Sequence, residues 1–300
     1  MAQSVKMVEV GPRDGLQNEK MPVSTSTKLE LIRRLGEAGL KSIEATAFVS
    51  PKWVPQMADH AEVMRRLERF VGVDYPVLVP NLQGFEDAVA AGAREVAVFA
   101  AASETFSQRN INCSIAQSLE RFRPVFRAAR EHGVRVRGYV SCVIACPYEG
   151  PVAPRAVAEV SDRLFQSGCG EISLGDTTGA GTPVSVLAML AEVSMRVPVE
   201  RLAGHFHDTY GSAVANVYAA YQFGLRVFDA SISGLGGCPY AKGASGNVAT
   251  EDVVHLFEGL GVETGIDLDK LASASAWISH ILNRQPGSKV TQAVMHQMNA

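Results

Sequence analysis

Leu202-Ala-Gly-His-Phe-His-Asp-Thr-Tyr-Gly211 is a short apolar run that ends in polar residues and a glycine, and a helix-spaced segment, Ala213–Phe223, follows it. The run reads as a strand over Leu202–His207. Side chains two apart on a strand share a face, whereas on a helix they diverge, so His205 and His207 can hold one object only if this stretch is extended. A pair of imidazoles on one strand face is a common grip on a divalent metal; two histidines satisfied by hydrogen bonds at a strand end are the plainer alternative.

Seven more strand-then-helix units can be laid out around this one. Strands read at Val5–Val10, Ser42–Phe48, Pro76–Val79, Glu95–Ala101, Val134–Ser141, Glu171–Leu174 and Val227–Ile232. Ser24, Thr25 and Ser26 are candidate N-caps for the first helix, through Leu29, Ile32, Leu35 and Ala38, which Gly39 stops. Further helices are expected near Asp59–Phe70, from Asn81 through Gly92, ending at His132-Gly133, ending at Gly168, over Pro183–Arg196 and from Asn247 to Gly259, with Ser103–Cys113 as a long polar loop. Regular alternation implies a parallel sheet, and eight units of ~30 residues match a closed (β/α)8 TIM barrel over about residues 5–261. An open doubly wound sheet gives no reason for eight even units. It also wants a Gly-x-Gly-x-x-Gly after the first strand, where this chain has Gly11-Pro12-Arg13-Asp14-Gly15. The remainder, about 262–300, is expected to be a C-terminal helical extension with a helix over Leu271–Leu282, the whole chain of 300 residues forming a single catalytic domain.

Composition narrows the partners. With 47% hydrophobic and 20% charged residues the chain has the material for one large core. A net charge of -3 without a basic tract argues against nucleic acid as a partner. No apolar run reaches membrane-spanning length. Met1-Ala-Gln-Ser4 runs straight into a strand and leaves no room for a leader, which gives a cytoplasmic expectation. The cysteines, Cys113, Cys142, Cys146, Cys169 and Cys238, are odd in number and scattered, as reduced thiols are; Cys142 and Cys146 have no second pair nearby, so no zinc knuckle is expected.

In a barrel, catalytic groups gather at the carboxyl ends of the strands. Arg13 and Asp14 follow the first strand, Glu44 lies in the second, Asp176 ends the sixth, His205 and His207 end the seventh, and Asn247 follows the loop after the eighth. Ring closure makes strands seven, eight and one neighbours, so Asp14, His205, His207 and Asn247 can converge. One carboxylate, two imidazoles and an amide oxygen form a mixed oxygen and nitrogen set that suits Mg2+ or Mn2+, with Co2+ or Zn2+ able to substitute, and leaves about two positions for a chelating substrate. Arg13 beside such a cation can stabilise an enolate oxygen; equally it can be a strand-end arginine paired with Glu44 or Asp176. Asp208 reads as a turn former, since it points away from the face of His207. Cys238 lies in the glycine-rich stretch Gly234–Gly246, and its thiol is either a loop filler or a proton-handling group on a mobile flap.

Several segments resemble one family. Val8-Glu-Val-Gly-Pro-Arg-Asp-Gly-Leu-Gln-Asn-Glu19, Ile43-Glu-Ala-Thr-Ala-Phe-Val-Ser-Pro-Lys-Trp-Val-Pro-Gln-Met57, Ser173-Leu-Gly-Asp-Thr177, His205-Phe-His-Asp-Thr-Tyr-Gly211 and Gly234-Leu-Gly-Gly-Cys-Pro-Tyr-Ala241 are similar to 3-hydroxy-3-methylglutaryl-CoA lyases, within a superfamily of metal-dependent barrels that share an Arg-Asp pair and a His-x-His. The resemblance implies metal ligands at Asp14, His205, His207 and Asn247, a catalytic, substrate-binding arginine at Arg13, active-site carboxylates at Glu44 and Asp176, and a catalytic flap cysteine at Cys238. It implies retro-Claisen cleavage of the acyl-CoA substrate to acetyl-CoA and acetoacetate, with Cys238 or His205 handling a proton, in leucine breakdown and as a homodimer. Ala45 and Ala47 stand where relatives carry bulkier or hydroxylated residues, and they should point away from Glu44. A Claisen-type synthase of the same superfamily and a non-catalytic acyl-CoA-binding barrel are the rival readings; the flap cysteine and the Gly-Pro-Arg-Asp-Gly-Leu-Gln opening favour the lyase.

Overall fold

The computed structural model describes residues 4–237 and 246–298. Eight parallel strands, β1 (Lys6–Glu9), β2 (Thr46–Ala47), β3 (Val77–Leu78), β4 (Glu95–Ala101), β5 (Arg135–Ser141), β6 (Glu171–Asp176), β7 (Leu202–Phe206) and β8 (Val227–Ala230), lie in one sheet in chain order, with β8 paired to β1. The ring closes where Glu9 bridges to Ile43: the Glu9 amide donates to the Ser42 carbonyl (2.9 Å) and the Glu44 amide to the Glu9 carbonyl (2.8 Å). The barrel and its C-terminal helices are therefore as expected.

Local chemistry explains the elements. Apolar strands such as β4 are buried on both faces because helices cover the outside of the ring. Helix α1 (Thr25–Glu37) starts where Ser24 accepts from the Thr27 amide, and α3 (Leu82–Ala90) where Asn81 accepts from the Gly84 amide. Helix α5 (Ile115–His132) has a capping box between Ser114 and Gln117 and ends on Gly133 at φ 64, a left-handed conformation that glycine adopts at little cost. Helices α6 (Pro154–Ser167), α7 (Pro183–Ser194), α8 (Ala213–Phe223) and α9 (Thr250–Gly259) complete the outer layer with α2 (His60–Arg66). One continuous core of buried apolar residues runs from Val5 to Leu282.

Several expectations are corrected. The loop expected over Ser103–Cys113 holds a helix, α4 (Glu104–Ile111), begun by Ser103 accepting from the Phe106 amide and stopped by Asn112 at φ 51. Strand β2 is a two-residue ladder, the rest of Ser42–Phe48 pairing only by single bridges to Glu9 and Asp74. The turn after β1 is a π-type turn, Gly11–Gly15, in which the amides of Arg13, Asp14 and Gly15 converge on the Val10 carbonyl. The last barrel helix begins at Thr250, not Asn247, because Asn247 bridges back to His207. The extension has two helices, α10 (Leu268–Ile281) and α11 (Lys289–Met298).

On β1, Glu9 turns toward the start of α9. Its carboxylate accepts from the amides of Gly11 (2.7 Å) and Ile232 (2.8 Å) and from the Thr250 hydroxyl (2.6 Å). Burial outweighs these bonds and, with the Glu251 charge nearby, pushes the Glu9 carboxyl up to about 7. The folded protein thus binds this proton more tightly than the unfolded chain, so the contribution is full below the unfolded value and is lost as pH rises through about 7. It amounts to about 3 kcal/mol for one such group. Glu9→Gln keeps the acceptor for both amides. Its melting temperature is expected to fall less than the wild type's between about pH 5 and pH 8. Parallel calorimetric curves for the two proteins would show that Glu9 does not titrate there.

Candidate active site at the carboxyl ends of the strands

The turn after β1 delivers Arg13 and Asp14, and the segment entering β2 delivers Glu44 from the neighbouring stave. Arg13 is buried, with Nε and Nη2 on Glu44 Oε2 (2.8 and 2.7 Å) and Nη1 on Asp14 Oδ1 (2.6 Å). Burial works against its charge, but the two carboxylates more than restore it and raise its pKa. Burial pushes the Glu44 carboxyl above its usual range against the pull of Arg13. Glu44 Oε1 has no hydrogen-bond partner. Ala45 and Ala47 are wholly buried on the opposite parity of the strand, as expected.

Strand β7 delivers the histidines. His205 and His207 are buried with ring centroids 5.4 Å apart, and one donor atom from each, with a carboxylate oxygen of Asp14, forms a group within 4.8 Å. Burial, with the neighbouring His205 ring adding to it, pushes His207 down to about 4, so at neutral pH it offers a lone pair and carries no charge. Its Nδ1 is buried without a hydrogen-bond partner. Asp14 is held below the usual carboxylate range: burial opposes this, and Arg13, His205, Asn247 and His207 overcome it. An ionised carboxylate, a neutral imidazole with an unpartnered nitrogen and a second imidazole fit a divalent cation. Asn247 is beside them, but it meets Asp14 Oδ2 with its amide nitrogen (2.8 Å), which also donates to the Leu235 carbonyl (3.1 Å).

Asp176 does not join this group. Ser173 faces into the ring, so Asp176, three residues on, faces the helices. Its carboxylate accepts from the Gly181 amide (2.7 Å) and the Thr178 hydroxyl (3.4 Å), and it does not pair with Arg13. Burial raises its pKa in spite of those bonds. Asp208 is the turn former expected, accepting from the Ala213 amide (2.9 Å). Cys238 lies outside the described residues.

Three groups escaped the sequence reading. Tyr139 of β5 donates to Glu44 Oε2 (3.2 Å), and the guanidiniums of Arg13 (5.4 Å) and Arg137 (4.9 Å) both lie over its ring. Arg137 forms a buried two-point pair with Asp229 of β8. Asp229 accepts from His205 Nδ1 (3.1 Å). The available signal was the alternation of charged residues inside strands otherwise apolar, Arg135-Val-Arg-Gly-Tyr139 and Val227-Phe-Asp229. Above these groups a cavity of about 710 Å3 opens, floored by Arg13, Asp14, Tyr139, His205 and His207 and rimmed by Trp53, Arg109, Asn112 and Arg121.

A closed parallel barrel with a carboxylate–imidazole pocket at its carboxyl rim defines the class of barrel proteins that keep their chemistry there. The chain matches the HMGL-like family over residues 4–278 and belongs to it. It is 61% identical to the mitochondrial hydroxymethylglutaryl-CoA lyase of Bos taurus, over 96% of this chain and 89% of that protein. The crystal structure of hydroxymethylglutaryl-CoA lyase from Pseudomonas aeruginosa superposes with a TM-score of 0.96 at 56% identity, covering 99% of each chain. An HMG-CoA lyase from Acinetobacter baumannii, solved with coenzyme A and 3-methylmalate, gives 0.93 at 39% identity, covering 97% of this chain and 95% of that one.

Asp14→Asn removes the full negative charge from the group while leaving a partner for Asn247. Its affinity for Mn2+, read by titration, is expected to drop by more than the roughly 10–100-fold that loss of a supporting partner costs. Wild-type uptake would remove Asp14 from the ligand set.

Proposed function

We infer that the protein is a carbon–carbon lyase that cleaves 3-hydroxy-3-methylglutaryl-CoA to acetyl-CoA and acetoacetate. The observation that carries this reading is the buried, doubly paired Arg13 beside the Asp14, His205 and His207 cluster, on the floor of a cavity with room for an acyl chain, in a chain 61% identical to a lyase of that name. The coenzyme A of the Acinetobacter structure supports an acyl-CoA substrate.

Asp14, His205 and His207 are the proposed holders of a divalent cation, Mg2+ or Mn2+ with Co2+ or Zn2+ as substitutes, and Asn247 joins them if its amide turns its oxygen inward. Such a cation, when bound, supplies Lewis-acid polarisation of substrate oxygens. The reaction removes the proton of the tertiary hydroxyl, breaks the bond between the hydroxyl carbon and the carbon next to the thioester, and leaves the electron pair as the enolate of acetyl-CoA, which then takes a proton. Arg13 remains charged through these steps, since its pKa is raised, and it faces the enolate oxygen as a fixed donor. Glu44 orients that guanidinium through its Oε2. We assign Asp176 to shaping the loop after β6, through Gly181 and Thr178, rather than to contact with substrate. His205 and Cys238, the residue after the cavity-lining Gly237, are the two groups proposed to carry the hydroxyl and enolate protons.

Incubation with 3-hydroxy-3-methylglutaryl-CoA and Mg2+ is expected to release acetoacetate, and chelator-treated protein to lose that activity until Mn2+ or Mg2+ is returned. A Claisen-type synthase or a mere acyl-CoA binder would release none.

The same reading includes a homodimer, acting in leucine breakdown as one catalytic domain in a cytoplasm-like compartment. Three cysteines, Cys113, Cys146 and Cys169, are free thiols, which suits reducing surroundings. Among the described residues no helix is long and apolar enough to cross a membrane. The outer faces of α7 and α8 carry Val184, Leu187 and Tyr218 exposed, with no charged side chain among their exposed residues. Light scattering is expected to give twice the 32.1 kDa chain mass, falling to one chain for Leu187→Arg. A wild-type monomer would end the dimer reading.

A further inference from the structure

We propose that Asp229 is the positioning residue of His205, fixing the imidazole tautomer that leaves Nε2 bare toward the cation pocket. The proposal rests on the cation reading of the Asp14, His205 and His207 cluster.

Asp229 stands directly beside His205 in the β8–β7 register and is buried. Its Oδ2 receives Ser173 Oγ (2.6 Å), Arg137 Nη1 (3.0 Å) and His205 Nδ1 (3.1 Å), while Oδ1 receives Arg137 Nη2 (2.6 Å). An ionised carboxylate only accepts, so His205 Nδ1 must carry a hydrogen, and in a neutral ring the lone pair is then on Nε2. Arg137 cannot swing away, because its Nε is held by Glu171 Oε1 (2.6 Å), and Lys6 in turn approaches Glu171 Oε2 (3.6 Å). A line of side chains thus runs from the far end of the barrel to the imidazole. His207 has no such support at its Nδ1. Carboxylate partners of this kind set the orientation and basicity of metal-binding histidines.

Asp229→Ala removes the acceptor. The Nδ1 hydrogen of His205 then has no carboxylate to hold it, so the proton redistributes to Nε2 and the lone pair facing the pocket is lost in part of the molecules.

Imidazole nitrogen NMR on the labelled full chain, with His205 assigned from the spectrum of His205→Gln, reads the tautomer without any metal; titration with Mn2+ alone reads affinity. The expected result is a proton on Nδ1 in the wild type and a shift toward Nε2 in Asp229→Ala, with Mn2+ affinity roughly 10–100-fold weaker in the variant. A variant that binds Mn2+ as the wild type does would overturn the proposal. So would a wild-type His205 protonated on Nε2, a reading that stands even if the variant folds poorly. Wild-type Mn2+ uptake with that second tautomer removes this proposal alone, whereas a wild type that takes up no Mn2+ removes the cation reading and the proposal together.

Discussion

A guanidinium taken out of water governs the top of this barrel. Arg13 is 6% exposed, and an unpaired charge there would cost several kcal/mol. Two carboxylates make it tolerable, one from its own turn and one from the next stave. The seam between β1 and β2 carries only two backbone hydrogen bonds among the described residues, and the Arg13–Glu44 pair lies across that seam. The interaction that prepares a fixed positive charge for chemistry therefore also helps to close the ring. A second buried pair, Arg137–Asp229, spans from β5 to β8 lower in the barrel, and both arginines lie over the Tyr139 ring.

The balance of charge inside the ring follows from these pairs. Asp14, Glu44, Glu171 and Asp229 face Lys6, Arg13 and Arg137, so with its carboxylates ionised the lining carries an excess of negative charge. His207 adds none, since burial keeps it neutral. A divalent cation held there would reverse that sign, and a substrate with a free carboxylate would bring it back toward neutrality. Groups held this way need not reorganise when charge develops, which is the condition under which electrostatic stabilisation is most effective.

Much of this could be read from residue order because strand parity is simple. His205 and His207 had to share a face, and ring closure had to bring Asp14 to them. The same rule misleads when it is applied to a strand end without counting. Asp176 was placed with the catalytic carboxylates, yet it shares the parity of Ile172 and Leu174, which face the helices. Arg137, Tyr139 and Asp229 stayed hidden for a different reason: a polar barrel interior breaks the rule that buried strands read as apolar runs. Helix α4 was missed because Phe106 and Ser107 are its only buried residues, too few to give a helical period.

The site is built in two halves of unequal support. Arg13, Glu44, His205 and Asp229 are held within the ring by ion pairs and ladder bonds. His207 and Asn247 depend instead on the segment that returns from the loop after β8, through the bridge between them, the Asp208 amide on the Gly246 carbonyl (3.0 Å) and the Val248 amide on the Phe206 carbonyl (3.0 Å). Gly246, at φ 112, passes so close to Gly234 and Gly236 that an added Cβ would meet their carbonyl oxygens at 2.8 and 2.7 Å. Only glycine fits there. That contact sets the two described ends of the loop against each other and beside the end of β7, which places Asn247 and the cavity-lining Gly237 at the rim. The half that holds charge is thus set by the barrel, and the half that brings His207 and Asn247 together is set by one close glycine crossing.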